Sequence, residues 1–269
     1  MPNVVREWLR PASPSGIVGI EPDKRRLAGL EVVIVFAATL GWSGLRSLVS
    51  LLDSLASPVA LNKQQALLNT SLAHVGLLDL FAQLADAMQL VAWGCIGAYL
   101  VYRTGLKLAE IGLDLTRIGS DLLRGVGLAA LIGIPGLGFY LLARTIGINL
   151  TVVPASLSDT WWRIPVLVIS AAANAWAEEA LVIGYLLTRL RQLGRSENSS
   201  LVISAVLRGS YHLYQGFGGF IGNIVLGLVF GRVWQKTNRL WPMVLAHTIL
   251  DVVSFVGYAL LASKLSFLR

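Results

Sequence analysis

Seven apolar runs dominate this sequence, at about 27–43, 86–102, 123–145, 163–188, 199–215, 218–234 and 240–262. A helix needs about 20 apolar residues to cross the hydrocarbon core of a bilayer. The runs therefore predict an all-α, polytopic transmembrane bundle of about seven to eight spans. The eighth would be a helical stretch at 44–62, which carries Arg46 and Asp53. Composition points the same way: 55% of residues are hydrophobic and only 14% are charged, against about 25% charged in a typical soluble domain. Pro135 and several glycines fall in the third run, which membrane helices tolerate when neighbours satisfy the freed backbone groups.

The net charge of +7 does not imply a nucleic-acid partner. The basic residues cluster between apolar runs, at Lys24, Arg25 and Arg26, at Arg189, Arg191 and Arg195, and at Arg232, Lys236 and Arg239. No basic face interleaved with aromatics lies outside the spans. With seven spans and a cytoplasmic N-terminus, these clusters and the 103–122 loop all fall on the inner side, as the positive-inside rule requires. The chain is thus expected to be a multi-pass integral protein of the plasma membrane of a bacterium. Residues 1–26 are expected to form a cytoplasmic segment and 27–159 an N-terminal transmembrane region. The first 26 residues are polar and rich in proline and charge, so the first span is expected to direct insertion without a cleavable signal. The single cysteine, Cys95, has no disulfide partner and reads as a small lipid-facing or core residue. In 216–231, Gly218 with Gly222 and Gly227 with Gly231 are small-xxx-small pairs suited to close helix packing.

Against this apolar background, six ionisable residues stand inside the last third of the chain: Glu178, Glu179, Arg208, His212, His247 and Asp251. Each such group costs at least ~2.5–3.5 kcal/mol to insert, which makes it a functional candidate. At ~1.5 Å per residue, Glu178 is ~15 Å from the inner end of its run, His212 ~20 Å, His247 ~10 Å and Asp251 ~16 Å. The groups thus share one slab near the middle of the membrane. His247 and Asp251 are four apart and share a helix face. Asn174, Glu178 and Tyr185 fall along one face by spacing, with Glu179 rotated by roughly 100°. Adjacent glutamates are therefore expected to do different jobs. Tyr185, Tyr211 and Asn223 read as packing or interhelical hydrogen-bonding residues. His74, the third histidine, falls in an outer loop.

The segments WAEEALVIGYL, SAVLRGSYH and AHTILD resemble, in order and spacing, the three motifs of the CPBP family. That family comprises CAAX proteases and bacteriocin-processing enzymes, which are glutamate-dependent intramembrane endopeptidases with motifs EExxxR, FxxxH and HxxxN or HxxxD. The resemblance covers about residues 160–262 and implies a protease core at 160–263. It implies Glu178 as the general base that activates water, His212 as the partner orienting that water, and His247 with Asp251 as the pair that stabilises the oxyanion. An aspartate at 251 can donate only if protonated; as a carboxylate it would orient His247. Two positions depart from the pattern: Ile183 stands where the family has arginine, and Arg208 where it has phenylalanine. These read as one change, the cation having moved to the next helix, where it would neutralise Glu179 and leave Glu178 free.

Zinc is a possible cofactor, with Glu178, His212 and His247 as candidate ligands; no HExxH is present. The implied partners are the lipid bilayer and a peptide or lipidated-protein substrate. A proton-coupled transporter and a non-catalytic membrane scaffold are the rival readings. The sequence shows no inverted repeat to support the former.

Overall fold

The structure, a computed structural model, describes residues 8–9, 17–262 and 264. Of the expected N-terminal segment, residues 1–7 and 10–16 lie outside the described residues. Eight helices follow in order: α1 (Arg25–Ala38), α2 (Leu40–Ala56), α3 (Gly76–Arg103), α4 (Ile118–Thr145), α5 (Arg163–Gln192), α6 (Glu197–Ser210), α7 (Phe217–Thr237) and α8 (Trp241–Leu261). Two three-residue strands, β1 (Gln65–Leu67) and β2 (Thr151–Val153), pair in parallel between helix-connecting loops. The bundle is otherwise helical.

Five helices, α3, α4, α5, α7 and α8, are long and apolar enough to cross a membrane. The count rises to six if α1 and α2, which meet at a 52° bend, form one span. The chain is an integral, multi-pass membrane protein. The expected runs at 27–43 and 44–62 prove to be this one bent pair. Thr39 breaks the helix, and its hydroxyl donates to the Val35 carbonyl at 2.7 Å. Gly41 is needed at the bend, because a Cβ there would lie 2.6 Å from the Phe36 carbonyl oxygen. The expected run at 199–215 also differs. Its α-helix, α6, has only 14 residues and stops at Ser210, a length of about 21 Å that falls short of the hydrocarbon thickness. Pro135, by contrast, sits within an unbroken α4.

All these elements run between the same two ends. At one end, Ile20 N–H donates to the Gln192 carbonyl, Gln235 to the Glu197 carbonyl, and the Trp234 indole to the Ile111 carbonyl. Arg239 there joins the 104–117 loop through Asp114 and also reaches Asp121 on α4. This end gathers the basic clusters. At the other end lie β1 and β2, and the loop after α6, whose Gln215 carbonyl accepts from Leu150 N–H. There Phe255 and Tyr258 of α8 pack on Leu157 and Trp162.

The core surrounds the second half of α5. Residues Glu179–Leu187 form a π-helix in which Leu181, Val182, Ile183, Tyr185, Leu186 and Leu187 are all buried. Small residues bring the neighbouring helices close. A Cβ on Gly94 of α3 would run into the Trp176 indole. On α7, Gly227 abuts Ala205 and Gly231 abuts Leu201 of α6, while Gly218 and Gly222 face Ala143 and Phe139 of α4. The small-xxx-small pairs thus seat α7 against two helices.

Candidate active site

Glu178 and Glu179 sit where α5 passes from α-helix to π-helix. A π-turn widens the helix by one residue and is common at functional sites. Here both carboxylates reach a single nitrogen of Arg208 on α6. Arg208 Nη2 lies 3.1 Å from Glu178 Oε2 and forms a short ion pair with Glu179 Oε1. Glu179 and Arg208 have no solvent exposure, and Glu178 almost none.

Tyr211, one turn beyond Arg208, donates its phenolic hydroxyl to Glu178 Oε2 at 2.8 Å. Both donors thus land on the same oxygen of Glu178. The backbone carbonyl of Tyr211 in turn accepts from Ser47 of α2 at 2.9 Å. The bent pair therefore braces the turn that carries Tyr211 and His212.

From α8, His247 Nδ1 lies 2.8 Å from Glu179 Oε1 and Nε2 lies 3.5 Å from Asp251 Oδ2. Because the carboxylate can only accept, Nδ1 is the donor to Glu179. Asn174 of α5 donates to Asp251 Oδ2 at 3.0 Å. Asp251 thus accepts from one side and faces His247 on the other. His212 Nδ1 lies 3.0 Å from the Arg208 carbonyl. That carbonyl can only accept, so the proton of a neutral His212 ring sits on Nδ1 and Nε2 is left as an acceptor. The His212 ring is flanked by Tyr211 and Tyr214, with centroids at 4.8 and 6.4 Å.

Five of the six intramembrane residues, Glu178, Glu179, Arg208, His247 and Asp251, therefore join one network with Tyr211 and Asn174. His212 hangs from the same turn by its bond to the Arg208 carbonyl. Three sequence expectations need correction. Glu179, though rotated from Glu178 along the helix, does not look elsewhere: both carboxylates reach the same Arg208 nitrogen. Arg208 does not leave Glu178 free, because its Nη2 bonds that carboxylate as well. Tyr185 does not face the site beside Glu178 as 3.6-residue spacing would place it: it is the interhelical hydrogen-bonding residue expected, its hydroxyl donating to Glu31 Oε1 on α1 at 2.9 Å, where Arg189 pairs with the same carboxylate at 2.7 Å. Tyr211, expected to pack or to hydrogen-bond between helices, does the latter, but no spacing signal marks Glu178 as the acceptor of its phenol.

Metal ligation is a poor match to this arrangement. Among the described residues no group of three or more His, Cys, Asp or Glu side chains converges as a cation cage. The centre between Glu178, Glu179 and His247 is filled by the Arg208 guanidinium, 3.3 Å from His247 Nδ1. A permanent cation there repels a second one. As arranged, Glu178, His212 and His247 do not fit a zinc site.

Residues 160–253 match a family of known proteins, described as type II CAAX prenyl endopeptidase Rce1-like. The match takes in α5, α6 and α7 whole and α8 as far as Val253, and with them every residue of the network, but covers roughly a third of the chain. Over that segment the protein is similar to CAAX prenyl endopeptidases. No curated protein and no solved structure matches the chain.

Proposed function

We propose that this protein is a glutamate-dependent intramembrane endopeptidase that hydrolyses a peptide bond of a membrane-associated or CAAX-like substrate. The observation that carries the reading is Glu178. Its carboxylate is buried inside a helix that matches a protease family, with both protein donors on Oε2. The other oxygen, Oε1, makes no hydrogen bond among the described residues and is the one that would take a proton from water. His212 Nε2, an acceptor in the neutral ring, would orient the same water. The hydroxide so formed attacks the scissile carbonyl, and Glu178 returns the proton to the leaving amine. His247, held between Glu179 and Asp251, would supply the positive end toward the oxyanion. Asp251 is better suited to orienting His247 than to donating, since it accepts from Asn174. Arg208 and Glu179 are positioning residues that hold this arrangement through Glu178 and His247.

The relocation of the family cation from position 183 to Arg208 is part of this proposal. So are seven crossings. α6 and the turn after it run antiparallel to α7 between the same two ends, so the short helix plus turn would complete the seventh. The basic end then faces the cytoplasm by the positive-inside rule, with the N-terminus inside.

The test compares membrane peptides from cells making wild-type protein or Glu178→Gln at equal abundance, alongside a prenylated peptide ending in a CAAX sequence presented in liposomes. Products present with wild type and absent with Glu178→Gln support the protease. Equal cleavage by both overturns the mechanism, and no cleavage by either in both assays favours a scaffold or transporter.

A further inference from the structure

Arg46 on α2 and Asp86 on α3 are exposed side chains on helices that face lipid. Neither makes a hydrogen bond or ion pair among the described residues. Their depths agree. Arg46 lies ten residues before the end of α2 at Ala56, and Asp86 ten residues after the start of α3 at Gly76. Both helix ends belong to the strand end of the bundle, so each charge sits ~15 Å along its helix from the same side. An isolated ionised group at such a depth is strongly disfavoured, and opposite charges at one depth relieve each other when they meet.

The surroundings of the two charges suit helix contact. On the face of Arg46 lie Ser43 and Ser50 with the exposed Trp42 and Val49, and on that of Asp86 lie Ala82, Gln89 and Leu90. Small and weakly polar residues are what membrane helix interfaces use in place of a hydrophobic drive.

We propose that α2 and α3 form the interface through which two copies of this chain associate, Arg46 of each copy pairing with Asp86 of the other. A twofold dimer requires a patch that is complementary to itself, so both signs must appear on one chain at matched positions. This chain carries both. A different partner would have to bring the opposite pair at the same depth and spacing, whereas a second copy does so by construction.

The experiment uses the full-length protein in liposomes at a fixed protein-to-lipid ratio, with subunits counted by single-molecule photobleaching. Wild type is expected to be dimeric. Arg46→Asp alone and Asp86→Arg alone should each lower association at least tenfold. An equimolar mixture of the two variants should form mixed dimers again, because both junctions then join opposite charges. Arg46→Asp with Asp86→Arg in one chain should also dimerise. The proposal is overturned if wild type is monomeric, or if the single variants dimerise as well as wild type. It is equally overturned if the double variant recovers and the mixture does not, since that pattern places the pairing within one chain. Retained helicity and wild-type melting of the two single variants, measured in parallel, keep loss of association separate from misfolding. Should either fail to fold, Arg46→Gln and Asp86→Asn replace them, and a dimer undiminished in both neutral variants overturns the proposal.

Discussion

Arg208 and Glu179 form an ion pair with no exposure on either side, at the point where α5 becomes π-helical and α6 crosses it. The same guanidinium nitrogen also reaches Glu178. One cation from α6 thus holds two adjacent carboxylates of α5 inside the membrane. Gly227 on α7 makes room for it, since a Cβ there would lie 3.3 Å from Arg208 Cδ.

Arg208→Leu therefore leaves two buried carboxylates without a cation. Removing one partner of a buried ion pair costs about 3–5 kcal/mol, so the variant should melt far below wild type and lose activity. Adding Ile183→Arg tests the relocated cation directly. Recovery of melting temperature or of cleavage in the double variant is the expected outcome, and recovery of neither would sink the idea.

Tyr211→Phe removes one donor from Glu178 Oε2 while keeping the ring that packs on His212. A hydrogen bond to a charged group is worth about 1.5–3 kcal/mol, so turnover should fall roughly tenfold to a hundredfold with little change in substrate binding. Thermal melting and separate kcat and KM values check this. A loss carried by KM alone would assign Tyr211 to substrate contact instead.

Gly94→Ala should destabilise the protein by about 1–3 kcal/mol, the usual cost of overpacking. The added methyl would collide with the Trp176 indole, which donates to the Val91 carbonyl at 3.1 Å two residues before Glu178. Gly127→Ala on α4 is the control: its Cβ would meet nothing within 4 Å, and alanine is the better helix former. Melting curves of the two variants should move in opposite directions or differ by several degrees.

Acid should loosen the 104–117 loop before it unfolds the bundle. The Thr116 hydroxyl and backbone N–H, together with the Arg239 guanidinium, hold the Asp114 carboxyl at about 2 against an ordinary 3.8. A depressed carboxylate contributes stability that is fully present above its unfolded value and is lost as pH falls through the folded one. The window thus runs from about 3.8 down to about 2. Amide exchange in the loop should rise across it, and Asp114→Asn should show the faster exchange already at neutral pH.

The helical membrane class was readable from apolar run length alone, because a bilayer leaves a spanning segment few alternatives. The buried charges were equally plain, since any ionisable group in such a run stands out against its neighbours. Run length did not reveal that 27–62 is one helix pair bent at Thr39. An apolar composition is indifferent to a kink that depends on how closely Gly41 approaches Phe36. Nor did it mark α6 as short, because Tyr211, Leu213 and Tyr214 carry bulky apolar surface on through the turn after that helix.

Within the site, motif order identified Glu178, Glu179, Arg208, His212, His247 and Asp251 as candidates, and spacing paired His247 with Asp251. Only the tertiary structure decided how they meet. Spacing assumes 3.6 residues per turn, and the π-helix at Glu179–Leu187 breaks that assumption. It carries Tyr185 away to Glu31, while the two glutamates meet Arg208 because α6 crosses α5 beside them. Tyr211 became visible as a ligand of Glu178 only when α6 packed against α5, because a hydrogen bond across 33 residues leaves no period in the chain. The sequence by itself determined the solvent this protein lives in and which residues are out of place there. Which of them share a proton or a charge was decided by the crossing of three helices, since those bonds depend on distances that no single helix sets.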